Sequence, residues 1–122
     1  MKKILLLISL VSAAAVNCFA VTTGSIQILG FRSDANDAIS FVTWEDLTTT
    51  DTLYFTDSGF FNDGTMRDSE NIMSWTPTST ILAGTVIVIE SPNGSSSAST
   101  GNTSGQLDGL SASGDQVFVG TT

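Results

Sequence analysis

Three observations predict an all-β fold for residues 21–122, namely an antiparallel immunoglobulin-like β-sandwich. About six short runs alternate apolar with polar side chains or are rich in β-branched residues, which is typical of strands. Clusters of Gly, Asn, Asp and Ser between the runs predict turns. No stretch beyond residue 20 has helical periodicity over an ordinary helix length. A small β-barrel is the alternative architecture.

The run Leu53–Thr56 shows the strand pattern most clearly. Its alternation predicts that Leu53 and Phe55 face a core while Tyr54 and Thr56 face the other way. The Gly-, Asn- and Asp-rich stretch that follows ends the strand. The other predicted strands are Thr23–Phe31, Ala38–Trp44, Ile72–Trp75, Thr85–Glu90 and Gln116–Val119.

Individual residues refine this pattern. Gly30 is a candidate β-bulge in the first strand. The β-branched run Thr85–Glu90 is predicted to be a central strand covered on both faces. Trp44 is expected to be half-buried. Three leucines of the connections are expected to pack onto the core: Leu47, Leu107 and Leu110.

Two stretches leave alternatives open. Phe60 and Phe61 lie in a turn region, where we expect them to cap the core edge, the alternative being an exposed aromatic platform. The Ser-, Thr- and Gly-rich stretch 91–105 is either a flexible loop or a weak edge strand. Core packing is likewise the first expectation for five aromatic residues, with a carbohydrate or protein contact patch as the alternative: Trp44, Tyr54, Phe60, Phe61 and Trp75.

Residues 1–20 have the pattern of a secretory signal peptide. Lys2 and Lys3 precede the apolar run 4–11, and small residues lead to a cleavage site after Ala20. An alternative reading of Cys18 as a lipidated cysteine is disfavoured by Asn17 before it. The predicted organisation is therefore a signal peptide over 1–20 and a single β-sandwich domain over 21–122, secreted or held at the cell surface.

Composition limits the function classes. Residues 21–122 contain two arginines and twelve carboxylates, a net charge of −10, which disfavours nucleic acid and anionic membranes as partners. The absence of histidine from the whole chain excludes Ser-His and Cys-His nucleophile arrangements and the usual zinc ligand. No cysteine follows residue 20, so that no disulfide stabilises the domain.

Oxygen-rich loops provide candidate calcium ligands. Carboxylate and amide oxygens suit calcium, and such side chains occur in two loops that a sandwich can bring to one end. These candidates are Asp34, Asn36, Asp37, Asp57 and Asp63. The EF-hand spacing is absent, and ordinary Asx turns explain the same residues. No organic cofactor is predicted.

Two catalytic hypotheses receive little support. A glycosidase-like pair would have to be Asp57 with Asp63 or Glu45 with Asp46, but nothing in the sequence predicts the cleft that two such acids need. The stretch 109–113 departs from the nucleophile-elbow pattern by ending in Ser113, and no histidine is present to activate a serine. The chain is therefore expected not to be an enzyme.

Six stretches together resemble a known secreted bacterial module. They are Gly24–Asp34, Ile39–Val42, Leu53–Gly59, Ser74–Thr76, Ala83–Val86 and Leu110–Gln116. Their order is similar to the pattern GFNSDG, FSFV, IYFTDNGW, TWT, AGTV, LSASGDQ of modules in large extracellular and PEP-CTERM-type surface proteins, whose layout resembles lamin-tail-like domains. The chain departs from the pattern at Phe60, where the module has tryptophan, and it has no Pro-Glu-Pro sorting tail.

The resemblance implies a non-catalytic structural or interaction module in a secreted protein, with an immunoglobulin-type sandwich fold. An extracellular protein or carbohydrate is the partner that it implies. The alternative is an accessory domain of a longer extracellular hydrolase, stabilised by calcium. Because the chain stops close after its last predicted strand, the sequence also raises the expectation that it is a fragment of a longer protein.

Overall fold

The computed structural model describes residues 21–34, 36–67, 71–113 and 115–121, and the predicted signal peptide lies outside these residues. The described chain is all-β and contains no helix. Consequently none of its segments is a helix that is long and apolar enough to cross a membrane.

Eight strands follow one another along the chain. They are β1 (Ile26–Arg32), β2 (Ala38–Thr43), β3 (Leu53–Thr56), β4 (Ile72–Thr76), β5 (Val86–Glu90), β6 (Ser97–Ala98), β7 (Asn102–Gly105) and β8 (Phe118–Gly120). The six predicted strands are confirmed, with ends that shift by up to three residues. The predicted strand Leu53–Thr56 has the same bounds in the structure.

The strands form two four-stranded antiparallel sheets. The first sheet has the order β1-β2-β5-β6 and the second the order β7-β4-β3-β8. The chain passes between the sheets after β2, after β4 and after β6, so that each sheet is assembled from distant parts of the sequence. The two sheets are not closed into a barrel, and the fold is a small β-sandwich as predicted.

The core lies between the two sheets and is held by large aromatic side chains. Phe41 of β2 packs against Phe55 of β3 with ring centroids 5.2 Å apart, and edge to face against Trp75 of β4 at 5.3 Å. All three rings are fully buried. The alternation of β3 is confirmed, since Leu53 and Phe55 face this core. Burial of such side chains is the main favourable contribution to folding.

The connections close the ends of the sandwich. Leu47 is buried and forms an isolated bridge with Ile81. Leu107 and Leu110 also join the buried core, which confirms the packing predicted for all three leucines. The buried carboxylate of Asp37 accepts a hydrogen bond from the backbone N–H of Leu110 at 2.8 Å. This bond ties the start of β2 to the connection before β8.

The predicted bulge is confirmed, but two burial predictions are wrong. The β1–β2 register shifts between Ile28 and Gly30. The predicted strand Thr85–Glu90 is hydrogen-bonded on both sides but covered on one face only, since Val86 is 50% exposed while Ile87 and Ile89 are buried. Its outward side chains belong to a sheet face on which no described strand packs. Trp44 lies just beyond β2 and is 56% exposed rather than half-buried.

The stretch 91–105 forms β6 and β7, each at the edge of one sheet, so that the edge-strand alternative is confirmed. Although this stretch lacks apolar alternation, backbone pairing and several side-chain hydrogen bonds hold it in place. Trp75 Nε1 donates to the carbonyl oxygen of Thr100 at 2.7 Å. Gly101 has φ of +81°, and a Cβ there would lie 2.5 Å from Trp75 Nε1.

Candidate binding surface

The outer face of the second sheet carries an apolar groove of about 640 Å³. It crosses the sheet and is lined by residues from all four strands. Its principal side chains are Tyr54, Phe60, Met66, Ile72, Ser74 and Phe118. We call this feature the sheet groove. Its size lies within the range of ligand sites in proteins, which are mostly apolar with a few polar groups.

The strand register explains why these side chains meet. Thr56 of β3 is opposite both Ile72 of β4 and Phe118 of β8, so that the three point to the same face. Since Phe55 faces the core, its neighbours in β3 must point outwards. The next outward row contains Tyr54 and Gly120. Gly120 has no side chain, which leaves the groove open beside Tyr54.

A short hairpin over residues 60–66, the rim hairpin, forms one wall of the sheet groove. Phe60 and Met66 form its bridge, and the N–H of Phe61 donates to the carbonyl oxygen of Thr65 at 2.8 Å. At its tip Asp63 Oδ1 accepts hydrogen bonds from Thr65 N at 3.0 Å and Thr65 Oγ1 at 2.7 Å. This Asx turn holds the tip in shape.

The predicted capping of the core edge by Phe60 and Phe61 is wrong. Phe60 is 45% exposed and Phe61 52% exposed. The rim hairpin places the Phe60 ring against the outward-facing ring of Phe118, at 4.9 Å between centroids, and not against the core. The hairpin is therefore anchored to the outer face of the sheet. The alternative, an exposed aromatic surface, describes the two rings better.

The two arginines of the domain have different surroundings. Arg32 donates to Glu90 in a 2.8 Å ion pair on the first sheet. Arg67 follows the rim hairpin, and its guanidinium lies 5.3 Å from the centroid of the Phe61 ring, within the range of a cation–π contact. Among the residues that the structure describes, no charged side chain lines the sheet groove itself. In a domain with a net charge of −10, this groove is an uncharged patch.

A second, more polar cavity of about 410 Å³ adjoins the sheet groove and shares Phe60 and Phe118 with it. Two carboxylates, Asp57 and Asp115, and the guanidinium-bearing Arg67 line it. Both oxygens of Asp115 accept backbone N–H groups, from Ser111 and from Gln116 at 2.8 Å each. This arrangement is that of a carboxylate that stabilises a turn.

The candidate calcium ligands occupy three kinds of position. Asp34 and Asn36 are exposed in the β1–β2 connection, Asp37 and Asp57 are buried, and Asp63 is at the tip of the rim hairpin. Asp37 is engaged by the N–H of Leu110. Within the described ranges no group of three or more Asp, Glu, His or Cys side chains is placed to hold a metal ion. Calcium binding by these five residues stays the alternative to their ordinary role in Asx turns.

The acid pairs considered for glycosidase chemistry have separate partners. Glu45 Oε1 accepts a hydrogen bond from the Thr22 hydroxyl, whereas Asp46 Oδ1 accepts one from the N–H of Ala83 at 2.8 Å. Asp57 is buried after β3, whereas Asp63 is exposed six residues later at the hairpin tip. Each engaged carboxylate thus holds a loop to the sandwich.

The pKa of Asp63, at the tip of the rim hairpin, is displaced from its ordinary value. The hydrogen bond from the Thr65 hydroxyl, supported by the bond from the Thr65 N–H, holds the pKa of Asp63 below its ordinary value. Both donors stabilise the charged form. The rim hairpin is therefore best formed when Asp63 is ionised.

Comparison with known proteins gives no relative: no family model, no curated protein and no solved structure matches the chain. Sequence reasoning had identified Phe60, Phe61 and Tyr54 as candidate contact residues. It missed Met66, Ile72 and Phe118, which lie in different strands or loops. The signal that could have found two of them is strand alternation, since Ile72 and Phe118 take the outward positions next to core-facing Met73 and Val119.

Proposed function

We propose that the protein is an exported, non-catalytic interaction module of the extracellular surface, and that the sheet groove is its binding surface. The observation that carries this proposal is an uncharged, aromatic-walled groove on the outside of a strongly acidic domain. Exposed apolar surface of this kind costs solubility and is typical of interaction sites.

The form of the groove supports recognition rather than chemistry. Phe60, Phe118 and Tyr54 offer ring faces and edges, and Ser74 and Ser104 add hydroxyl groups. Aromatic side chains supply large contact areas at a low entropic cost. The predicted leader and the resemblance to modules of secreted surface proteins support an extracellular setting. The excess of carboxylates keeps the domain soluble in that setting.

The experiment measures adsorption of the purified, fluorescently labelled protein to the cells that produce it and to their extracellular material. Gly120→Phe is the blocking variant, because a Cβ at Gly120 meets no atom within 4 Å and its side chain would enter the sheet groove beside Tyr54. Gly94→Phe is the matched control, because Gly94 is equally open but lies in the exposed loop before β6.

The proposal predicts saturable adsorption that Gly120→Phe weakens at least about tenfold and that Gly94→Phe leaves unchanged. Equal adsorption of both variants would contradict the proposal, since the groove would then take no part. Release of soluble sugar from the same material by the purified domain would contradict its non-catalytic role. That release should be followed in the Asp115→Asn variant, since Asp115 lies in the adjoining cavity.

A further inference from the structure

The core of the sandwich is incompletely covered along one side. Five apolar side chains that pack against the core are only partly buried on this side: Val21, Ile26, Ile28, Val117 and Val119. They come from the start of the domain, from β1 and from the region of β8. By contrast, the core residues of β2, β3, β4 and β5 are fully buried. Further apolar contact at these partly buried positions would bury more apolar surface and so stabilise the domain.

A cavity marks this open side. It has a volume of about 310 Å³ and is lined by residues 21–24, by Ile26 and Leu53, and by β8 residues Val119 and Gly120. The edge strand of the first sheet, β1, therefore faces the edge strand of the second sheet, β8, across an unfilled space. We call this space the inner cavity.

Three of the four sheet edges are protected against pairing with another strand. The β1 edge carries the bulge at Ile28 and Gly30, β6 has two residues, and β7 contacts β6 where the chain passes between the sheets. Bulges, very short strands and covered edges are known protective devices. β8 is also short, with three residues, but among the described residues its edge has neither a bulge nor a cover. Residues 117–121 also contain no charge and no proline, which protect other edge strands.

β8 is flanked by a space on each of its two faces. The sheet groove lies on the outer side of β8, and the inner cavity lies on the side of the core. Within the described chain β8 pairs with β3 alone and stands last in the sheet order. Since side chains alternate between the faces of a strand, a strand added beyond β8 would direct one set into the sheet groove and the other towards the inner cavity.

We propose that the β8 edge receives an extended segment of another polypeptide as a fifth strand of the second sheet. Backbone hydrogen bonds to β8 provide affinity in this recognition mode, and the two spaces select alternating side chains. The segment is apolar at alternate positions and neutral or basic overall, because the domain has a net charge of −10. This inference rests on the proposed function and specifies the class of its partner.

Charge also distinguishes this partner from a second copy of the chain. Two β8 edges could pair antiparallel, but each copy would bring a net charge of −10 to the contact. Neither arginine of the domain lies in β8, and Arg32 is paired with Glu90 on the first sheet. Repulsion between the copies opposes pairing at low ionic strength, while the same field attracts a basic segment.

The test uses a displayed library of random twelve-residue peptides as the probe, selected against the purified protein. The selected peptides are synthesised and titrated against three variants. Val119→Lys places a charge towards the inner cavity, Gly120→Phe fills the sheet groove, and Gly94→Phe is the control. Unfolding in urea verifies that each variant is folded. Hydrogen exchange of the amides of 117–121 is followed with and without peptide.

The proposal predicts selected peptides with alternating apolar residues and few Asp or Glu. It predicts that Val119→Lys and Gly120→Phe each weaken their binding at least about tenfold, whereas Gly94→Phe does not. It also predicts slower amide exchange in β8 on binding, as added backbone hydrogen bonds require.

Three outcomes would overturn the inference. In the first, Gly120→Phe weakens peptide binding but Val119→Lys does not. The peptides would then bind in the sheet groove without adding a strand, and the proposed function would stand. Failure to select any peptide, while adsorption to cells still depends on Gly120, would also leave the proposed function intact. Salt-stabilised dimers that Val119→Lys dissociates would identify a second copy as the occupant of the edge.

Discussion

Phe118 and Phe60 meet edge to face, with ring centroids 4.9 Å apart and ring planes at 86°. This contact joins the rim hairpin to the edge strand β8 on the outer face of the second sheet. A wall of the sheet groove is thus held by the strand whose edge is open to pairing. Edge-to-face pairs add about 0.5–1.5 kcal/mol beyond the burial of the rings, which is enough to position a short hairpin.

The central aromatic cluster should dominate stability. We expect Phe41→Ala to lower the free energy of unfolding by about 3–5 kcal/mol, because Phe41 is fully buried and contacts two other rings across the sandwich. Trp44→Ala is the control, since Trp44 is 56% exposed and should cost about 1 kcal/mol or less. Urea denaturation of both variants measures the difference, and equal losses would contradict this account of the core.

The Asp37 carboxylate should be needed as a hydrogen-bond acceptor. Asp37→Ala leaves the buried N–H of Leu110 without its partner, so we expect a loss of about 1–3 kcal/mol in the free energy of unfolding. Asp37→Asn keeps a carbonyl oxygen and should cost less. Thermal or urea unfolding distinguishes the two variants. Equal losses would show that a neutral carbonyl oxygen does not replace the carboxylate, and would contradict this prediction.

Gly101 should tolerate no side chain. A Cβ at this position would lie 2.5 Å from Trp75 Nε1 and 2.8 Å from the carbonyl oxygen of Thr76, in addition to the cost of φ at +81°. Gly24→Ala is the matched control, because Gly24 also has positive φ, +91°, but an open environment. We expect Gly101→Ala to lower the melting temperature clearly more than Gly24→Ala. Similar shifts in both variants would mean that the close approach of Trp75 to Gly101 does not contribute to the loss of stability.

The pKa of Asp63 should depend on Thr65. Thr65→Val removes the hydroxyl donor but keeps the backbone N–H, so the pKa of Asp63 should rise towards, but stay below, its ordinary value. Because the folded-state pKa is the lower one, the bond stabilises the hairpin above the unfolded-state pKa, and this contribution is lost as pH falls through the folded-state pKa. NMR titration of the Asp63 carboxyl carbon measures its pKa in both proteins. An unchanged pKa in the Thr65→Val variant would show that the Thr65 hydroxyl does not lower it.

Calcium should leave the thermal stability unchanged if the five candidate ligands serve only as turn residues. A ligand that binds the folded state alone raises the melting temperature in proportion to its occupancy. Asp37 is already engaged with Leu110, and Asp63 with Thr65. We therefore expect no shift at millimolar calcium. A clear rise that Asp57→Asn abolishes would instead establish a calcium site.

The pattern of apolar and polar residues within single stretches of sequence is sufficient to predict most of the strands. Alternation in Leu53–Thr56 and the β-branched run to Glu90 predicted strands because each follows from one stretch of residues. The sequence does not distinguish a loop from a strand at β7, because these residues have no apolar alternation and the position of β7 depends on its pairing with β4. The exposure of Val86 was mispredicted because a β-branched run does not reveal whether a second layer covers it.

The candidate surface was harder to predict than the fold. Phe118 and Phe60 are distant in the sequence, and only the β3–β8 register brings Phe118 beside Thr56, where the rim hairpin reaches it. The opening beside Tyr54 depends equally on the absence of a side chain at Gly120. Such properties arise from pairing between distant segments, which a single stretch of sequence does not encode.

The most direct test of the central claim is hydrogen exchange of the protein while it is bound to the extracellular material of its producing cells. The account predicts slower amide exchange in β3, in β8 and in the rim hairpin. It predicts unchanged amide exchange in β1 and β5 of the first sheet. Protection confined to the first sheet, or protection that persists in the Gly120→Phe variant, would contradict the claim that the outer face of the second sheet is the working surface.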